Sequence, residues 1–106
     1  MTTDRELLEA AAKVAGIDGE FRTEHLCVNG DWDDVTAIFL ADGWGWWNPL
    51  TDDGDVLRLA VQFDLLFSDD NAWHEYYGEE LAMGRDVLSA TRRAIVRAVA
   101  AMKEKT

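Results

Sequence analysis

The chain has 106 residues, a formal net charge of −11 and a pI near 4.3. That length suits a single domain, residues 1–106, with one core of limited size. A surface this acidic repels nucleic-acid phosphates and anionic lipid at long range, which argues against both as partners and favours a basic protein partner, or serves solubility alone.

Hydrophobic residues make up 48% of the chain, enough to form a core. Cys27 is the single cysteine, so no internal disulfide can form, and a thiol zinc site normally needs more than one thiol. The opening MTTDRELLEA lacks the basic start and apolar run of a signal peptide. No apolar run approaches the roughly 18 residues of a membrane span. The cytoplasm is the expected location. Charge is unevenly spread. Residues 1–17 carry three acids and two bases. Residues 18–80 carry 16 acids against Arg22 and Arg58, and residues 85–106 carry six bases against two acids.

The first segment reads as a helix over Asp4–Ala15. Thr3 and Glu6 have capping-box spacing, and Gly16 followed by Ile17 reads as a glycine stop. Leu7, Ala11, Val14 and Ala15 fall on one face. Glu24–Val28 and Val35–Leu40 read as short strands around the turn signal Asn29-Gly30, with Asp42-Gly43 ending the second. GWGWWNPL (Gly43–Leu50) reads as an irregular or extended lead into a helix. That second helix is expected over Thr51–Asp64, with Thr51 as N-cap and Asp52, Asp53 and Asp55 favoured by the dipole of the first turn. Val56, Ala60 and Phe63 mark its core face. Leu65–Ser68 and Ala72–Tyr77 read as a hairpin turning at Asp69-Asp70-Asn71. The last helix is expected over Asp86–Lys103. Leu88, Thr91, Ile95, Ala98, Val99 and Met102 lie within an arc of about 100°. Arg85, Arg92, Arg93, Arg97 and Lys103 project onto the opposite, wetter side. The expected fold is α+β, with about three helices on a small, mainly antiparallel sheet, an α-β-α sandwich-like arrangement.

TDDGD (Thr51–Asp55) invites a calcium reading, but setting Gly54 at loop position six puts Pro49 at position one and Ala60 at position twelve. Neither supplies a side-chain ligand. Helix capping explains these acids better, and no metal is assigned. His25 and Cys27 share a strand face, yet no orienting residue or oxyanion motif accompanies them in sequence. There is no G-x-G-x-x-G, P-loop or nucleophile elbow, so no catalytic or cofactor-binding residue is assigned. Five tryptophans stand out: Trp32, Trp44, Trp46, Trp47 and Trp73. They either fill space between helices and sheet or present a binding patch. The candidate partner-binding residues are Trp44, Trp46, Trp47, Asp52 and Asp53.

Three segments carry a family resemblance: RELLEAAAKVAGI (Arg5–Ile17), WNPLTDDGDVLRLAVQFDL (Trp47–Leu65) and ATRRAIVRAVAAM (Ala90–Met102). Together they resemble short proteins of tailed bacteriophages and prophages, similar to the phage α-β-α sandwich domain family. The resemblance implies a phage or prophage origin, expression in a bacterial cytoplasm and an α/β sandwich. It carries over no catalytic residues.

Three functional readings follow. The first is a non-enzymatic module that binds a basic protein, such as a nucleic-acid-binding protein, through the tryptophan segment and its acidic surround. The second is a small-ligand binder or enzyme with a cleft near Trp44–Trp47, using Asp52, Asp53, His25 or His74. The third is self-association, with the basic last helix packed on the acidic block of a second copy to form a homodimer.

Overall fold

A computed structural model describes residues 3–43, 45–65 and 72–102. Helix α1 (Asp4–Ala15) has the expected bounds. Thr3 Oγ1 accepts the Glu6 N–H, and the Glu6 carboxylate accepts the Thr3 N–H. Gly16 closes the helix in the left-handed region, and the Ile17 N–H reaches back to the Ala12 carbonyl at 2.9 Å. The buried stripe is Leu7, Leu8, Ala11 and Ala12. It is rotated from the expected face, because Val14 and Ala15 lie only half-buried near the helix end.

Strands β1 (Gly19–Val28) and β2 (Asp31–Leu40) form one long antiparallel hairpin, paired from Gly19↔Leu40 to Val28↔Asp31. Asn29 (φ 53°) and Gly30 (φ 87°) both take positive φ, the pattern of the type I′ turn whose twist matches the flanking strands. Each strand runs well beyond its expected bounds. Glu20, Arg22, Asp31 and Asp33 give those stretches little β signal, so main-chain pairing carries them. A two-residue strand, β3 (Trp46–Trp47), pairs with Ile38 and Phe39 on the other side of β2. The sheet order is β1-β2-β3, antiparallel throughout.

Helix α2 (Asp53–Gln62) begins one residue later than expected relative to its cap. Asp52, not Thr51, is the N-cap, its carboxylate accepting the Asp55 N–H at 2.8 Å. Asp52→Ala should therefore cost about 1 kcal/mol in urea unfolding, while Thr51→Ala should change little. Val56, Leu59 and Ala60 enter the core, whereas Leu57 and Val61 stay exposed.

The expected second hairpin is corrected. Ala72–Ala82 is a helix, α3. Residues 66–71, which would hold the rest of that hairpin, lie outside the described residues. Trp73, Tyr76, Tyr77 and Glu80 recur at i, i+3, i+4 and i+7, one helical face. Tertiary packing on the last helix overrides the β preference of the aromatics. The Trp73 indole N–H donates to the Leu65 carbonyl at 3.0 Å, tying α3 to the end of α2.

Helix α4 (Val87–Ala101) lies within the expected range, and Lys103 falls outside the described residues. It packs against α1, α2 and α3. Its buried residues include Ala90, Ala94, Ile95, Val96, Ala98 and Val99. Leu88, expected in the core, is exposed. The core stripe is turned toward the alanines, whose small side chains let neighbouring helices approach closely. The fold is α+β, four helices and a three-stranded antiparallel sheet. One core joins Leu8, Ile38, Trp47, Leu59, Val96 and Val99.

Candidate binding surface

Strand parity separates the tryptophans. Trp47 lies opposite Ile38, is 7% exposed and belongs to the core. Trp46 lies opposite Phe39 on the other face and is 41% exposed. Its ring tilts against Phe39 at 6.0 Å, while the Arg22 guanidinium covers that phenyl ring at 5.0 Å. Trp44 lies outside the described residues. Asp52 caps α2. Asp53 accepts from Arg92 at 2.7 Å, and the same arginine donates to the Leu50 carbonyl at 2.9 Å. Asp55, buried, accepts the Asn48 N–H at 2.9 Å and an Arg58 N–H at 2.6 Å. These three aspartates are thus used singly to lock the corner between β3 and α2. Of the expected binding residues, Trp47 is buried in the core, while Trp46, Asp52 and Asp53 are exposed.

The distal half of the β1–β2 hairpin extends from this body. Pairs along one of its faces are Thr23/Thr36, whose hydroxyls meet at 2.7 Å, then His25/Asp34, then Cys27/Trp32. The His25 Nδ1 and an Asp34 carboxylate oxygen are 2.9 Å apart. The imidazole stacks on Trp32 at 5.5 Å, with the planes 18° apart. Asp34 is an orienting partner for His25 that sequence spacing does not reveal. Both groups are exposed, as are Cys27 and Trp32, the latter at 67%. His74 is elsewhere, on α3, edge-on to Trp73 at 4.1 Å. Among the described residues no group of three histidine, cysteine or acidic side chains is placed to hold a metal ion.

A cavity of about 380 Å³ lies beside the hairpin, lined by Asp4, Leu8, Asp34, Thr36, Asn48 and Thr51 among others. Asn48 shapes it. Its Nδ2 donates to the Thr36 carbonyl at 2.8 Å, and its Oδ1 accepts the Leu50 N–H at 3.0 Å. The side chain thus takes one ladder position just as β3 ends and the chain turns away.

Sequence reading misses a second polar centre, Glu80, which is 3% exposed. Its carboxylate accepts from Arg85, Arg93 and Arg97. Burial pushes the carboxyl pKa up, but the three guanidiniums outweigh burial and hold it below the ordinary carboxylate value. Burial likewise acts to lower the Arg97 pKa. Hydrogen bonds to Glu79 and Glu80 reverse that effect and raise it. Arg93 also reaches Asp4, and Arg97 lies over the Tyr76 ring at 4.4 Å. The expectation of a wet arginine face on α4 is corrected: Arg92, Arg93 and Arg97 are largely covered and spent on acids of the same chain. The acids and arginines around the adjoining cavity of about 520 Å³ balance, three against three: Asp4, Glu79 and Glu80 against Arg85, Arg93 and Arg97. This centre joins α1, α3 and α4.

No known protein family, curated protein or solved structure matches the chain. No helix among the described residues is long and apolar enough to cross a membrane.

Proposed function

We propose that the chain is a non-enzymatic protein-binding module, of phage or prophage origin and acting in the bacterial cytoplasm, that docks a basic partner through its β1–β2 hairpin. One observation carries this reading: the arginines of the helical part are paired with acids of the helices, whereas acids far outnumber bases in the hairpin and its flanks. Arg58, Arg85, Arg92, Arg93 and Arg97 all bind carboxylates of α1, α2 or α3. Residues 18–43 hold seven acids against one arginine, Arg22, and expose Trp32. A large aromatic ringed by negative charge suits a positively charged protein surface, with the ring as anchor and the acids as steering field. A nucleic-acid-binding protein presents such a surface. Two further observations favour this reading over its rivals. The arginines needed for charge-driven self-association are engaged within the chain. Asp52 and Asp53 stand together at the start of α2, whereas His25 lies on β1 and His74 on α3.

Capture from bacterial lysate on the immobilised protein tests this. A partner should be held at low salt and released as the Debye length falls from about 10 Å at 0.1 M to about 3 Å at 1 M. Asp31→Asn with Asp33→Asn, or Trp32→Ala alone, should reduce capture by roughly tenfold or more without changing the melting temperature appreciably. A partner kept unchanged in high salt, or by both variants, would rule the hairpin out.

A further inference from the structure

The binding surface has a structural detail that charge alone does not explain. Strand β2 has ten residues, but β3 pairs with only Ile38 and Phe39. The Leu40 N–H donates to the Gly45 carbonyl, and the Thr36 carbonyl accepts from Asn48 Nδ2, so the even-numbered residues of β2 direct their main-chain groups to the β3 side. By the same alternation Trp32 and Asp34 face that side too. There, among the described residues, no strand pairs with them. The Asp34 N–H is instead covered by the carboxylate of its neighbour Asp33, at 2.8 Å. One side chain caps a carbonyl, another caps an amide, and the edge between them is open beside the 380 Å³ cavity.

We infer that this edge of β2 receives an extended, lysine- or arginine-bearing segment of the partner protein as an added strand, laid in line with β3 across Trp32, Asp34 and Thr36. The inference rests on the binding reading above and names how the partner is held. Strand addition at an exposed edge draws affinity from main-chain hydrogen bonds and specificity from pockets that take alternate side chains. Both are present here. Side chains of the added strand that point to the helical side enter the cavity, where Leu8, Phe21 and Leu50 offer apolar wall and Asp4 and Asp34 offer carboxylates. Those on the other face lie over Asp31 and Asp33, which share that face with Val35 by strand alternation. Aspartate flanks both faces of the slot, so a basic strand is matched whichever of its side chains turns inward. The outer edge of β1 is also unpaired among the described residues, but Arg22 interrupts its acids and pairs with Glu24.

The probe is a blocked octapeptide of alternating lysine and valine, titrated at low salt into the whole protein, alongside the same peptide N-methylated at every amide. Charge and side chains are identical, and only the second cannot donate main-chain hydrogen bonds. The first should bind and slow hydrogen exchange at the amides of Trp32, Asp34 and Thr36, while Asp33 and Val35, already paired with β1, change little. The methylated peptide should bind at least about tenfold more weakly, as expected for the loss of two or more hydrogen bonds. Equal affinity for the two peptides would refute strand addition while leaving a salt-sensitive basic partner in place. Binding of neither, or binding with no new protection at those three amides, would also refute it. The lysate capture described above then decides the broader reading separately.

Discussion

Truncating Trp47 to alanine should remove about 3–5 kcal/mol of stability, a large part of the roughly 5–15 kcal/mol available to a domain. Trp46→Ala should cost about 1 kcal/mol. The two residues are adjacent and chemically identical, so parity alone sets the difference. Trp47 is packed with Ile38 inside the core, while Trp46 lies on the opposite face against Phe39 with much of its ring in water. Removing the first leaves a cavity that surrounding side chains cannot fully close, whereas removing the second uncovers part of one phenyl ring. Urea unfolding of both variants checks this. Reversed costs would mean that the β3 register is shifted by one residue, which exchanges the two faces, and equal costs would mean that parity does not set the difference.

Glu80→Gln should lower stability at pH 7 by about 2–3 kcal/mol. Breaking a buried ion pair commonly costs about 3–5 kcal/mol, and the partly exposed positions of Arg85 and Arg97 reduce that through solvent screening. The effect depends on pH with a definite sign. The folded-state pKa lies below the ordinary value of 4.5, so the native state favours the charged form. That contribution is complete above about pH 4.5 and is lost as pH falls through the folded-state value. The gap between wild type and Glu80→Gln should therefore narrow on going from pH 7 toward pH 3. Chemical unfolding at a series of pH values measures it. A gap that is constant with pH would show that Glu80 acts through packing rather than charge.

Glu80 also explains which parts of the fold could be read from sequence. Local chemistry marks the ends of α1: a hydroxyl and a carboxylate three residues apart, then a glycine stop. Asn29-Gly30 likewise marks its turn, because both residues tolerate the backbone angles required. Helix α3 is concealed because its inward face runs Trp73, Tyr76, Tyr77, Glu80. The member that would complete an apolar stripe is a carboxylate. It can be buried only because Arg85 from the α3–α4 connection and Arg93 and Arg97 from α4, five to 17 residues away in sequence, surround it. The sequence puts those arginines in water for the same reason: it does not show their acid as a buried partner. The tryptophan segment hides its division into core and surface until β3 is recognised as a strand. The pairing of His25 with Asp34 needs the hairpin register, which the weak β signal at Asp31 and Asp33 does not supply.

The β1–β2 hairpin is fixed at one end and free at the other. At its base, a Cβ on Gly19 would collide with the Phe39 carbonyl and the Ile38 side chain, so that position admits no substitution without prying the strands apart. At its tip, Asn29 and Gly30 are exposed, and a Cβ on Gly30 would meet nothing within 4 Å. Reach can therefore change while the scaffold beneath stays constant. Lengthening each strand by two residues at the tip would keep every inner side chain facing inward, whereas one residue more would exchange the two faces of whatever lies beyond it.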